Sequence, residues 1–161
     1  MDYSKYDSVL VNGIENFEKK IEDYASWIIN GGLRFQSGWA LAIQCPITCP
    51  EAARACAKIA YEQGARDVSV FWTDPFSNLE KFCHSKDEEL DNEGLWPEIV
   101  RKRYDDKDIA YVIFKCENPE FLNPAGQERQ LKFGQIVNAN YASFKAGLRF
   151  PYVITAASNR E

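Results

Sequence analysis

From Ile14 onward, apolar residues recur three and four positions apart, at Phe17, Ile21, Tyr24, Ala25, Ile28 and Ile29, with polar or charged residues between them. That spacing lines one stripe of a helix. Gly31-Gly32 reads as its end, because glycine tolerates the left-handed cap conformation. The period then changes. Ala40-Leu41-Ala42-Ile43 is an unbroken apolar run between Gly38 and Pro46, as expected of a strand covered on both faces. Cys49-Pro50-Glu51 reads as a helix start, with proline suited to the first helical position and an acid complementing the dipole in the first turn. The helix body, Ala52 to Gln63, is alanine-rich, and Gly64 stands where a C-terminal cap belongs. Val68, Val70 and Trp72 mark a second strand, halted by Asp74-Pro75. Strand, helix and strand with short connections predict a right-handed parallel crossover.

Beyond Asp74 the pattern weakens. A short helix is expected from Phe76 to Phe82, and the charged segment Lys86 to Glu93 reads as a solvated surface loop. A second short helix is predicted over Pro97 to Tyr104, with the proline in its first turn. Ile109 to Phe114 is a third buried strand, followed by the chain break Asn118-Pro119. Leu131, Val137, Tyr141 and Phe144 line one side of a long helix capped near Gly147, and Tyr152 to Ala156 is a fourth strand. The sum is an α/β fold: an open, mostly parallel sheet of about four strands with helices on both faces. Residues 1–161 are expected to form a single domain, with 1–12 as a loosely ordered arm. No helix follows the fourth strand, so one apolar sheet face is expected to lie open.

Composition narrows the class. A chain of 161 residues has room for one ordinary domain. With 45% hydrophobic and 27% charged residues it is neither collagen-like, low-complexity nor wholly disordered. Its 19 Lys plus Arg against 24 Asp plus Glu give a net charge of −5, and the basic residues are dispersed. Nucleic acid and anionic membranes are therefore not expected partners. No apolar run approaches the roughly 18 residues that cross a bilayer, and Met1 to Lys5 does not open a secretory leader, so a cytoplasmic location is expected. The five cysteines, Cys45, Cys49, Cys56, Cys83 and Cys116, are an odd number and read as reduced thiols.

Candidate chemistry is sparse. Ligands of open parallel sheets gather at the carboxyl ends of the strands, which here carry Gln44-Cys45, Thr73-Asp74, Glu117-Asn118 and Ser158-Asn159. Cys45, Thr73, Asp74 and Asn118 are the candidate ligand-binding residues. Against that, Asp74 and Asn118 each precede a proline, where a side chain that bonds nearby backbone is the simpler role. Cys45-Pro46-Ile47-Thr48-Cys49 could be half a metal site, completed by Cys83-His84, or a redox pair one residue wider than the thioredoxin spacing. Small buried or helix-edge cysteines account for it more simply. Cys56 and Cys116 fall on predicted core faces, and His84, the single histidine, reads as a surface residue. No glycine-rich phosphate loop follows any strand. Trp27, Trp39, Trp72 and Trp96 read as core or interface anchors.

The run Tyr24-Ala25, Gly32-Leu33, Gln36, Gly38, Leu41, Ile43, Pro46, Glu51-Ala52, Ala60-Tyr61, Gly64-Ala65, Val68, Val70, Trp72 and Asp74 resembles the N-terminal domain of the thermophilic metallo-aminopeptidases of the aminopeptidase T and aminopeptidase S group. Asn118-Pro119, the helix from about Gln130 to Ala146 and the strand after Pro151 continue the likeness. The resemblance implies a cytoplasmic, homodimeric exopeptidase that removes N-terminal amino acids with two divalent ions, cobalt or zinc. The ligands of those ions, two histidines among them, belong to the family's C-terminal domain. No residue of this chain is implied to be catalytic or metal-binding. Trp39 departs from the polar residue usual after the glycine, and Lys86 to Glu93 has no counterpart. Two functions follow as expectations. One is the non-catalytic, chamber-forming or dimer-supporting part of such an aminopeptidase, packed on a catalytic C-terminal domain or partner chain. The other is a free-standing α/β domain that binds a small ligand or partner. A thiol enzyme using Cys45 or Cys83 is a third reading.

Overall fold

The alanine-rich run that begins at Pro50 forms a helix, α2 (Pro50–Glu62), between two parallel strands, β1 (Ala40–Pro46) and β2 (Asp67–Thr73). The computed structural model to which these elements belong describes residues 16–86, 89, 108–115, 123–132, 134–135 and 150–157. Pro50 occupies the first turn of α2 and Glu51 follows it. At the other end Gly64 adopts φ +85°. Its N–H donates to the Tyr61 carbonyl (3.0 Å) and the Ala65 N–H to that of Ala60 (2.9 Å), the paired bonds that close a helix through a left-handed glycine.

Strand register is regular. Ala40 pairs with Asp67 and Pro46 with Thr73, while β3 (Ile109–Lys115) and β4 (Tyr152–Ala156) pair from Tyr111 with Tyr152 to Lys115 with Ala156. The four strands lie in the order β2-β1-β3-β4, all parallel, so the α/β fold expected from the sequence is the fold observed. The two inner strands are the continuous apolar runs, buried at nearly every position. The two edge strands carry more exposed positions, and β4 alternates strictly, with Tyr152 and Ile154 among the exposed large apolar side chains.

The N-terminal helical segment ends at the glycine pair, as expected, but not in the expected way. Helix α1 (Phe17–Ser26) passes into a widened π-helical turn, Trp27–Gly32, and neither Gly31 nor Gly32 adopts the left-handed conformation. Leu33 N–H donates to the Ile28 carbonyl at 2.9 Å. The wider turn buries the consecutive residues Ile28 and Ile29 completely, which a regular helix with one apolar stripe does less readily. Gly32 is needed there for closeness: a Cβ on it would lie 2.7 Å from Val153 Cγ2 of β4. The Tyr24 hydroxyl meets the Thr155 hydroxyl and donates to the Ala156 carbonyl at 2.8 Å, which ties α1 to the carboxyl end of β4. Lys58 on α2 reaches Glu22 on α1 at 2.8 Å.

The chain forms two compact units. The first comprises Met1–Thr73, Ala110–Cys116 and Pro151–Glu161 and holds α1, α2 and the sheet. The second comprises Asp74–Ile109 and Glu117–Phe150. Its described helix, α3 (Pro75–His84), is capped by Asp74, whose carboxylate accepts from the Phe76 N–H at 3.0 Å and from the Ser77 hydroxyl at 2.7 Å. Arg129 closes the other end, donating to the Ser85 carbonyl at 2.6 Å. Residues 127–132 are helical, within the predicted long helix. The arm 1–12, the helix Pro97 to Tyr104, Asn118, Cys116 and Trp96 lie outside the described residues, as does most of Lys86 to Glu93.

The tryptophans divide. Trp39 packs edge-to-face on Phe35 with ring centroids 6.0 Å apart, as a core anchor should. Trp27 and Trp72 do not belong to the core, being 63% and 44% exposed. Trp27 precedes the buried pair Ile28 and Ile29 in the π-helical turn, and Trp72 lies on edge strand β2.

Candidate functional site

The carboxyl ends of β1 and β2 place two of the sequence candidates side by side. Cys45 pairs in register with Trp72 and Pro46 with Thr73, so Cys45 and Thr73 are diagonal neighbours across the two strands. Thr73 uses its carbonyl to hold the turn that leaves β1, accepting from the Ile47 N–H at 2.9 Å. The Cys45 side chain is wholly buried. Its thiol donates to the Cys49 carbonyl at 3.3 Å and lies 3.8 Å from the Cys49 sulfur. Burial pushes the Cys45 thiol up to about 12, opposed by the Ala53 amide in the first turn of α2 and reinforced by the negative charge of Glu51. Cys56, one turn further along α2 and equally buried, is likewise pushed up to about 12 by burial, then by its neighbour Cys45.

Asp74 opens the second unit, and both its carboxylate oxygens are engaged in capping α3. That is the local backbone role expected of an aspartate before a proline. Asn118, the fourth candidate, lies outside the described residues. Cys83 and His84, which could have completed a metal site with Cys45 and Cys49, fall in the second unit on α3. His84 is a surface residue, 3.2 Å from Glu80 one helical turn earlier.

The cysteines depart from the reduced set expected from their number. Cys45, Cys56 and Cys83 are free thiols, whereas Cys49 is disulfide-bonded. An odd cysteine count is compatible with one bridge, and nothing in the spacing of Cys49 distinguishes it from the others. Two further polar contacts were invisible in the sequence. Tyr111 on β3 donates to Gln44 Oε1 at 2.7 Å, and Tyr24 reaches the end of β4, 131 residues away. Both are long-range pairings that no local pattern encodes.

Among the described residues no three His, Cys, Asp or Glu side chains group so as to hold a metal ion. The described part of the chain therefore does not fit a two-ion hydrolytic centre. No helix among the described residues is long and apolar enough to cross a membrane.

The family model of the thermophilic metalloproteases (M29) matches residues 17–160. Over 151 residues the chain is 22% identical to aminopeptidase PepS of Streptococcus thermophilus, covering 92% of this chain and 37% of that protein. It is 25% identical to aminopeptidase 2 of Geobacillus stearothermophilus over 146 residues, 91% of this chain and 34% of the relative. Among solved structures, wild-type AmpT from Thermus thermophilus superposes with a TM-score of 0.72 at 20% identity, over 87% of this chain and 36% of that one. The chain thus spans about a third of the length of the curated relatives it matches.

Proposed function

Because this chain belongs to the thermophilic metalloprotease (M29) family, we propose that it is the N-terminal, non-catalytic portion of a metal-dependent aminopeptidase. One observation carries the reading: nearly the whole chain aligns with aminopeptidases, yet it accounts for only about a third of their length. In this role the parallel sheet and its helices are architectural. They wall the substrate chamber and support a homodimer, and the catalytic C-terminal domain or a partner chain brings the metal ligands. The whole assembly removes N-terminal amino acids from peptides in the cytoplasm with two divalent ions, cobalt or zinc. The lack of a metal-holding cluster among the described residues is compatible with this division of labour. Nothing in the described strand ends favours a ligand pocket instead, since Asp74 is engaged as a cap and the Cys45 sulfur is buried.

Two measurements test the proposal. The chain alone, supplied with cobalt or zinc, should release no chromophore from leucyl-p-nitroanilide, and metal-dependent turnover by it would overturn the non-catalytic role. The native gene product, weighed intact from its source, should be much heavier than the 161-residue chain or co-purify with a second chain. A native product of this mass, without a partner, would instead favour a free-standing binding domain.

A further inference from the structure

We propose that Asn30-Gly31 is a site of spontaneous deamidation that Ser26 and Gln63 hold shut, so that it reacts when the π-helical turn opens. An asparagine followed by glycine is the pair in which the next backbone nitrogen meets least steric resistance on its way to the side-chain amide, since glycine carries no Cβ. Both residues are exposed, so water and base reach them. In the folded chain, however, the Asn30 amide is engaged at both ends. Its Nδ2 donates to Ser26 Oγ at 3.1 Å, and its Oδ1 accepts from Gln63 Nε2 at 2.6 Å. These bonds pin the side chain to the last residue of α1 on one side and to the end of α2 on the other. The backbone around it belongs to the turn Trp27–Gly32, where a peptide N–H is directed along the helix rather than toward the preceding side chain. Packing does not demand the glycine at 31. A Cβ there would come no closer than 3.5 Å to Trp27, an ordinary contact, and its φ is not left-handed, in contrast to the tight approach of Gly32 to Val153.

The step needs only base and water. The Gly31 N–H loses its proton to hydroxide, the nitrogen's electron pair attacks Asn30 Cγ, and a new N–Cγ bond closes a five-membered succinimide ring. The Cγ–Nδ2 bond breaks, and that nitrogen leaves as ammonia after taking up a proton. Water then opens the ring at one of its two carbonyls, leaving either aspartate or isoaspartate at position 30. Nothing is oxidised or reduced. To reach the Gly31 nitrogen the Asn30 amide must give up both its bonds, to Ser26 and to Gln63, and the turn must leave its helical form, so the folded chain reacts only through local opening. The product matters to the fold. Either outcome adds one negative charge to a chain of net charge −5 and removes the amide that donates to Ser26. Isoaspartate also lengthens the main chain by one atom, immediately before the residue that packs against Val153. None of this depends on the aminopeptidase reading, since it concerns one turn of this chain.

The test uses the full chain, incubated in mildly alkaline buffer either native or unfolded in guanidinium chloride, and cleaved with trypsin at intervals. Asn30 falls in the tryptic peptide Ile21 to Arg34, which holds no other asparagine or glutamine, so a peptide heavier by the exchange of NH2 for OH reports this site alone. Its aspartate and isoaspartate forms separate by chromatography. Conversion is expected to be at least about tenfold slower in the native chain than in the unfolded one, the ratio being set by how rarely the turn opens. Ser26→Ala and Gln63→Ala should each speed conversion several-fold in the native chain and leave the unfolded rate unchanged, with thermal unfolding confirming that each variant is folded. Gly31→Ala should keep the fold and slow conversion in the unfolded chain. Equal rates in native and unfolded wild-type chain would overturn the proposal, as would an unfolded chain that does not convert. Folded Ser26→Ala and Gln63→Ala variants that both react at the native wild-type rate would overturn the clamp.

Discussion

Cys45 and Cys56 show how much one buried atom can influence. Each thiol is pushed up to about 12 from an ordinary 9.0, chiefly by burial. An unfolded chain releases both protons near pH 9, while the folded chain keeps them. The folded state then binds more protons, so this contribution to stability is complete below pH 9 and is lost as pH rises toward 12. The slope is about 1.4 kcal/mol per pH unit for each thiol. Denaturant midpoints measured from pH 8 to 11 should fall steadily above pH 9, and Cys56→Ala should remove about half the slope. An unchanged slope would mean that the Cys56 thiol ionises in place. Asp74 offers a second residue-level prediction. Its carboxylate satisfies the Phe76 amide and the Ser77 hydroxyl, so Asp74→Ala should cost about 1 kcal/mol and Asp74→Asn much less. Hydrogen exchange at the amides of α3 would read this directly, and equal protection in both variants would argue against a capping role.

At the scale of elements, the informative one is the π-helical turn. The three-and-four spacing announces a helix and the glycine pair its end at Gly32, but neither announces that the last turn, from Trp27 onward, is π-helical. Gly32 lies against β4, and its missing Cβ is what lets the turn approach Val153. Gly32→Ala should therefore destabilise the chain by about 1–3 kcal/mol, because a β-branched neighbour has few rotamers in which to retreat. Combining it with Val153→Ala should cost clearly less than the sum of the single changes in a denaturation cycle. Strict additivity would show that the two positions do not collide. Gly64 differs: its φ of +85° and the nearness of Ser37 Oγ, 2.6 Å from where a Cβ would sit, are local and steric. That glycine was legible as a helix terminator, since the left-handed cap is a property of the helix end itself.

For the molecule as a whole, chelation gives the plainest expectation. With no metal-holding cluster among the described residues, adding EDTA should leave the thermal midpoint of this chain unchanged; a fall of several degrees would reveal a structural ion. The order of elements and the sheet's parallel character could be read from the sequence because they rest on local periods: a helical stripe, two unbroken apolar runs for the inner strands, an alanine-rich crossover and the prolines and glycines between them. The strand-end candidates were only partly legible for the same reason. A residue before a proline declares its turn chemistry, as Asp74 did, whereas Cys45 declares nothing until its neighbours are known. By itself the sequence determined the α/β class, the strand boundaries of β4, the cap at Gly64 and the family resemblance. Only the tertiary structure decided that Tyr24 reaches Thr155, that Tyr111 meets Gln44, that the helix widens over Ile28 and Ile29, and that the sulfurs of Cys45 and Cys49 stand 3.8 Å apart. The physical reason is range. Backbone preference and burial periodicity act over a few residues, but side-chain contacts are set by which distant segments the folded sheet brings together.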